Sequence, residues 1–224
     1  MLCVTGLLPV CTPKPNGSSV GFTYDISLSL QIVEFETLSG TLVCNKTSAL
    51  KNGVEMKLPI NEPHINLDER LDEAINDLVN AALQGAYQPV HVRLSPTTKK
   101  LLIRLPDGTT RADLEAMKID IDALLKINTT DQVRGVIITI LGQGTQYDFI
   151  SRYFAPWVGI PEDPVTGSAH TVLVPYWAEQ LDKSEFFARQ SSPRGGELGL
   201  ELKKDHILIQ GQGTIVLSGM LHLK

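Results

Sequence analysis

The fold class of this 224-residue chain is decided by one stretch, Ala169-His-Thr-Val-Leu-Val-Pro-Tyr-Trp-Ala-Glu-Gln-Leu181. Its length and its content of apolar residues predict a helix that is apolar on nearly every side. A helix without a polar face is buried all round, so we expect it at the centre of the structure. The aromatic pair Tyr176 and Trp177 is interpreted as core rather than as a cofactor-binding surface.

Segments typical of strands lie on both sides of this helix along the chain. The predicted strands of this part of the chain are 90–94, 100–105, 134–141, 147–154, 185–191, 196–202, 207–210 and 214–223. Strands and helices do not alternate, which excludes a doubly wound parallel sheet. The order predicts an α+β fold in which a sheet curls around one buried helix.

The chain before residue 90 has a different pattern. Short runs at Ile32–Phe35, Gly40–Cys44 and Val54–Leu58 predict an antiparallel meander of three strands. Apolar residues at helical spacing predict a helix over Asn66–Leu83, with Asn66 as N-cap. Two further short helices are predicted at 111–117 and 121–126.

Composition restricts the classes of function. The net charge is -5 and the pI about 5.5, and the basic clusters are only pairs such as Lys99-Lys100, interpreted as solvated strand ends. We therefore expect no nucleic-acid partner. The three cysteines and five histidines form no metal-binding spacing, so no metal site is predicted. No apolar run reaches about 18 residues, so we expect no membrane partner and a cytoplasmic location.

One turn, Gly159-Ile-Pro-Glu-Asp-Pro-Val-Thr-Gly-Ser-Ala-His170, has the pattern of an anion-binding site. Thr166 is placed to cap the following helix. Gly167 would let a ligand approach the backbone closely. The amides of Gly167, Ser168 and Ala169 would then point outward at the positive end of the helix dipole. Such a helix end binds a carboxylate or an oxyanion.

Two side chains of this turn are candidates for chemistry. Asp163 could orient a substrate or transfer a proton, but spacing alone favours a helix-capping residue in an ordinary turn. His170 could be a base, although a packed or solvent-facing histidine is the commoner case. In a second unusual segment, 190–198, Arg194 could pair with a carboxylate ligand or with Glu162 or Glu197.

Three motifs in order carry a family resemblance. They are Ser151-Arg-Tyr-Phe-Ala-Pro-Trp-Val-Gly-Ile160, Glu162-Asp-Pro-Val-Thr-Gly-Ser-Ala-His170 and Ser192-Pro-Arg-Gly-Gly-Glu-Leu198. The chain from Phe35 onward resembles the phenazine biosynthesis-like isomerase family (PhzF type). The resemblance implies a fold similar to diaminopimelate epimerase, with two lobes that are each a β-barrel around a central helix.

The same resemblance implies an activity. Members are expected to work without a cofactor, by acid/base proton transfer on a small carboxylic acid held at helix N-termini. Asp163 matches the family's active-site Asp, and Gly167 and Ser168 match its substrate-anchoring turn. Ala169 is a substrate-binding candidate through its backbone amide, and His170 and Arg194 are further candidates.

The sequence also departs from the family pattern. The family's catalytic Glu lies in an Asn-Leu-Ser-Glu-Thr-like stretch, and neither it nor the accompanying Gly-His-Ala-Thr-like turn is found. We therefore expect a divergent segment 1–34, an incomplete first lobe over 35–110 and a complete second lobe over 111–224. Impaired catalysis and a homodimer are expected. The alternative is a non-catalytic binding or regulatory protein that keeps the isomerase fold.

Overall fold

The computed structural model describes residues 32–37, 40–47, 53–64 and 69–213, and within these ranges it has ten strands and four α-helices. The strands are β1 (Ile32–Thr37), β2 (Gly40–Thr47), β3 (Gly53–Pro59), β4 (His91–Ser95), β5 (Lys100–Arg104), β6 (Gly135–Leu141), β7 (Phe149–Phe154), β8 (Glu185–Gln190), β9 (Gly196–Leu202) and β10 (His206–Gln212). The helices are α1 (Glu69–Leu83), α2 (Arg111–Ala116), α3 (Ile121–Lys126) and α4 (Gly167–Leu181). The predicted element order is confirmed in these ranges. The N-cap predicted at Asn66 and the strand at 214–223 lie outside them.

All ten described strands form one sheet, in the order β1-β2-β3-β10-β9-β8-β7-β6-β5-β4. Pairing is antiparallel except between β5 and β6 and between β7 and β8. Beyond β3 the chain forms a bridge to β4 through His64 and Leu94, with N to O distances of 2.8 and 3.0 Å. This bridge joins the two ends of the eight-strand span from β3 to β4, so the sheet curls into a barrel.

Helix α4 lies inside this barrel, as predicted. It contacts β3, β5, β9 and β10, and Val172, Leu173 and Val174 are fully buried. The indole of Trp177 stacks on Phe149 with 5.4 Å between ring centroids and an interplanar angle of 4°. The fold is therefore of the α+β class, with a sheet curled around a central helix.

Pro175 frees a carbonyl of α4 for a hydrogen bond to the chain outside the helix. A proline inside a helix has no N–H to donate to the carbonyl four residues earlier, here that of Thr171. That carbonyl instead accepts a hydrogen bond from the backbone N of Asn61 at 3.1 Å. The Asn61 side chain also donates to Thr171 Oγ1 at 2.9 Å, so the segment after β3 is fixed to the helix.

A second core lies between the outer face of the sheet and helices α1, α2 and α3. Leu101 and Ile103 of β5 point into this outer core, while Leu102 points inward to the core around α4. Lys100 and Arg104 share the inner face with Leu102, because side chains alternate along a strand. The prediction that Lys100 is a solvated strand end is therefore wrong. Lys100 is only 8% exposed, since β5 is covered on both faces.

The expected division of the chain at residue 110 falls inside this sheet. Strand β5 precedes that point and pairs with β6, which follows it, from Lys100–Gly135 to Arg104–Thr139. The assignment of residues to two lobes stays a prediction. Within the described ranges, the helices fall short of the length or apolar character needed to cross a membrane.

Candidate functional site

The carboxylate of Asp163 is buried just before the start of α4. Its backbone N donates to the carbonyl O of Tyr153 at 3.0 Å, which fixes the turn to the end of β7. The residue has no exposed surface, and its Oδ2 accepts a hydrogen bond from Thr166 Oγ1 at 2.6 Å. A short bond to an ionised oxygen is the strong kind, so the hydroxyl holds the carboxylate in one orientation.

Gln190, at the end of β8, holds the same turn from the other side. Its Oε1 accepts from the backbone N of Thr166 at 2.8 Å. Its Nε2 donates to the carbonyl O of Asp163 at 2.6 Å and to Thr166 Oγ1 at 3.1 Å. One fully buried side chain therefore fixes both ends of the turn from Asp163 to Thr166.

The first residues of α4 follow directly. Thr166 is the N-cap residue by position, but its side chain makes no capping hydrogen bond. The prediction that Thr166 caps the helix is therefore wrong for its side chain, because the hydroxyl donates to Asp163 instead. Gly167 and Ala169 are buried and Ser168 is exposed at this uncapped end. The partial positive charge of the helix N-terminus is thus not neutralised by the N-cap side chain.

The segment 190–198 forms the support for this turn. Ser192 Oγ donates to the carbonyl O of Pro164 at 2.8 Å and accepts from the backbone N of Gly195 at 3.0 Å. A Cβ on Gly196 would lie 2.3 Å from Cγ2 of Val165, so the turn can pack here only against glycine. The two unusual segments of the sequence therefore form one structural unit.

His170 lies behind the turn. It is fully buried, and its Nδ1 donates to the carbonyl O of Thr166 at 2.7 Å. Burial lowers the pKa of His170 to about 4, so the imidazole is neutral at pH 7. A histidine without exposed surface does not meet a ligand arriving at the helix end. The geometry makes it a support for the N-cap carbonyl.

Both glutamates considered from the sequence as partners of Arg194 have other partners in the structure. The side chain of Glu162 is paired with Arg152, at 2.7 and 2.9 Å. Glu197 accepts from the Tyr147 hydroxyl and lies 3.5 Å from Arg189. Arg194 itself is exposed. A ligand-binding role of Arg194 stays a prediction.

Tyr153 and Gln190 belong to the site, but no sequence pattern had singled them out as site residues. Burial raises the pKa of the Tyr153 hydroxyl, and the charge of Asp163 raises it further, so the phenol stays protonated. Gln190 lies 27 residues after Asp163 and reaches the turn through strand register, whereas Tyr153 lies on β7, the strand before the turn. Among the described residues, no group of three His, Cys, Asp or Glu side chains is arranged to hold a metal.

A sequence model of phenazine biosynthesis-like proteins matches residues 17–219, which is most of the chain. The chain belongs to the phenazine biosynthesis-like protein family. Its sequence is 41% identical over 219 residues to the phenazine biosynthesis-like domain-containing protein of Rattus norvegicus, covering 96% of this chain and 73% of that protein. The family resemblance inferred from the three motifs is thus confirmed.

Family members of known structure have the same fold. The crystal structure of a PhzF-family protein from Enterococcus faecalis aligns with a TM-score of 0.69 and 28% identity, over 89% of this chain and 68% of that one. A protein of Halalkalibacterium halodurans named as an uncharacterized isomerase is 37% identical over 86% of this chain and 65% of its own length. Fold and family therefore place this chain among isomerase-like proteins.

Proposed function

We propose that this chain is a cofactor-independent isomerase or epimerase that moves a proton on a small carboxylic acid. One observation carries the proposal. A buried carboxylate, Asp163, is oriented by the hydroxyl of Thr166 and lies four residues before Gly167, the first residue of α4, whose N-cap residue makes no side-chain capping hydrogen bond. An acid/base group and an anion-binding helix end are thus adjacent.

In this proposal the helix end binds the carboxylate of the substrate. The amides of Gly167, Ser168 and Ala169 and the hydroxyl of the exposed Ser168 supply donors, and the helix dipole adds a favourable field. A Cβ at Gly167 would meet Leu58 Cδ1 at an ordinary 3.6 Å, so packing within the described chain does not require glycine there. In this proposal, position 167 is a glycine because a side chain there would keep the ligand away from the backbone amides.

Asp163 then acts as the acid/base group. Its carboxylate takes a proton from the carbon next to the bound carboxylate, and the electron pair of that bond delocalises toward the carboxylate oxygens. The donors at the helix end stabilise the charge that develops there. Return of a proton to the other face, or to another carbon, releases the isomer. The isomerase name of the bacterial relative supports this reaction class.

We further propose that turnover is slow, because no residue of this sequence matches the second, glutamate acid/base group of the family pattern. A missing acid/base group typically costs about a hundredfold to ten-thousandfold in rate. The alternative is a binding or regulatory protein with the same site. It predicts that a carboxylate binds at α4 and that no proton is exchanged.

The test is proton exchange with solvent. The protein is incubated in deuterated water with a panel of small amino and hydroxy acids, and loss of the signal of the proton next to the carboxylate is followed by NMR. Asp163→Asn should abolish exchange. Asp182→Asn, at the opposite end of α4, is the matched control and should not. Stabilisation by a carboxylate without proton exchange would favour the binding alternative. The absence of both stabilisation and exchange would contradict both hypotheses.

A further inference from the structure

Lys100 is a buried cation without a counter-charge. It is the first residue of β5 and 8% exposed, and its Nζ lies 5.8 Å from the centroid of the Tyr153 ring. In the described part of the chain this ring is its only polar or electrostatic contact, because Lys100 makes no hydrogen bond or ion pair there. Burial lowers the pKa of Lys100 to about 8. An unpaired ammonium in such a place is costly to the fold.

The local backbone directs Lys100 inward. The preceding Lys99 has φ of 53° and pairs with Asp131 on the surface, with Nζ 2.6 Å from Oδ2. Lys100 then faces the same side of β5 as Arg104, whose guanidinium lies 4.6 Å from the ring centroid of Trp177 on α4. The two neighbouring lysines therefore differ in environment, although they are adjacent in the chain.

Tyr153 connects Lys100 to the turn that precedes α4. Its ring centroid lies 5.8 Å from Lys100 Nζ, and its backbone carbonyl accepts a hydrogen bond from the backbone N of Asp163. Lys100 thus lies at the end of the barrel that holds the candidate site.

A glycine makes this arrangement possible. Gly135 of β6 pairs with Lys100, and a Cβ on Gly135 would lie 2.3 Å from the Tyr153 hydroxyl oxygen. The ring of Tyr153 can extend across β6 toward Lys100 only because that side chain is missing. Ser95, opposite Lys100 on β4, is fully buried as well. Residues of three strands, β4, β6 and β7, therefore lie next to Lys100.

We propose that Lys100 is a second anion anchor of the site, so that the ligand is a small acid with two anionic groups, one at the N-terminus of α4 and one at Lys100. This inference rests on the proposed function, since it takes α4 as the first anchor. It gives the buried ammonium the counter-charge that the chain does not supply. A purely structural lysine, whose stem packs on Tyr153 while its charge reaches water, is the competing explanation.

The test compares ligands with one and two carboxylates. Affinities of acetate, malonate, succinate and glutarate are measured by calorimetry on the unmodified protein, Lys100→Met and Lys99→Met. At least one dicarboxylate should bind about tenfold or more tighter than acetate, because a charge-assisted contact is added. Lys100→Met should reduce that dicarboxylate to the affinity of acetate. Lys99→Met removes the same charge from the surface and should change neither the affinity for acetate nor the affinity for the dicarboxylate.

Thermal unfolding keeps the test independent of misfolding. Lys100→Met removes an unpaired buried charge, so it should melt at the same temperature as the unmodified protein or higher. Equal dicarboxylate binding by Lys100→Met, or no preference for any dicarboxylate, would overturn the second anchor and leave the proposed function standing if acetate binds. If Lys100→Met no longer binds acetate, Lys100 and the N-terminus of α4 bind the same carboxylate. That result would also overturn the proposal of a second anchor. Failure of all four acids to bind would contradict the proposed function as well.

Discussion

The hydroxyl oxygen of Thr166 lies 2.6 Å from Oδ2 of Asp163, and Gln190 fixes the direction of that bond. Gln190 Nε2 donates to the same hydroxyl oxygen at 3.1 Å, so the single hydrogen of the hydroxyl remains for the carboxylate. Three buried side chains thus form a directed chain of hydrogen bonds that ends on the proposed acid/base group.

Replacement of Thr166 tests this chain at its centre. Thr166→Val keeps the shape of the side chain but removes the hydrogen bond from Thr166 to Asp163 and the one from Gln190 to Thr166. The free energy of unfolding should fall by about 1–3 kcal/mol in urea denaturation. Thr166→Ser keeps the hydroxyl and should lose less than Thr166→Val. Equal losses in the two variants would show that the hydroxyl makes no net contribution.

Gln190→Glu tests the donor role of Gln190. The new oxygen faces the carbonyl of Asp163 and the hydroxyl of Thr166, so two donated bonds are lost and a charge is buried. We expect a loss of about 2–4 kcal/mol at pH 7. The loss should shrink as the pH falls, because a buried glutamate binds its proton more tightly in the folded chain than in the unfolded chain. Gln180→Glu, exposed on α4, is the matched control, and a similar loss there would refute the assignment.

Two glycine to alanine changes separate support from ligand binding. Gly196→Ala should displace the turn, because its Cβ would lie 2.3 Å from Val165, and should cost about 1–3 kcal/mol of stability. Gly167→Ala meets only an ordinary 3.6 Å contact with Leu58 and should fold with unchanged stability. It should nevertheless bind carboxylates more weakly. The idea fails if Gly196→Ala melts like the unmodified protein, or if Gly167→Ala binds as well.

His170 predicts a pH dependence of stability. Its pKa is about 4 when folded, below the ordinary value of 6.5, so the unfolded chain binds more protons between these values. Stability should therefore be full above about pH 6.5 and fall as the pH drops toward 4, by up to about 3 kcal/mol. In His170→Asn, which can still donate to the Thr166 carbonyl, this part of the slope should vanish. If the stability of the unmodified protein and of His170→Asn, measured by urea denaturation, changes with pH in parallel, this prediction is wrong.

The central helix and its surrounding strands could be predicted from sequence, because an apolar stretch such as 169–181 has one stable place, inside a curled sheet. The position of Asp163 at the helix start could also be predicted, since it depends on residues close in the chain. Both predictions used local pattern alone.

The remaining parts of the site depend on register and competition. Gln190 reaches Thr166 because β8 pairs with β7, with Gln190 opposite Ser151, and no local pattern indicates this. Thr166 had two possible uses for its hydroxyl, the helix amides and Asp163, and only the fold decides between them. The sequence indicates that Lys100 is part of an exposed pair with Lys99. It is buried because both faces of β5 are covered in the fold.

Carboxylate binding at α4 is tested most directly by two-dimensional amide NMR during a titration with acetate, since this needs no turnover. We predict saturable shifts centred on the amides of Gly167, Ser168 and Ala169, and their loss in Gly167→Ala. Amides at the other end of α4, near Leu181, should not move. Shifts that are absent from the N-terminus of α4, or that are equal at both ends, would contradict the proposed site.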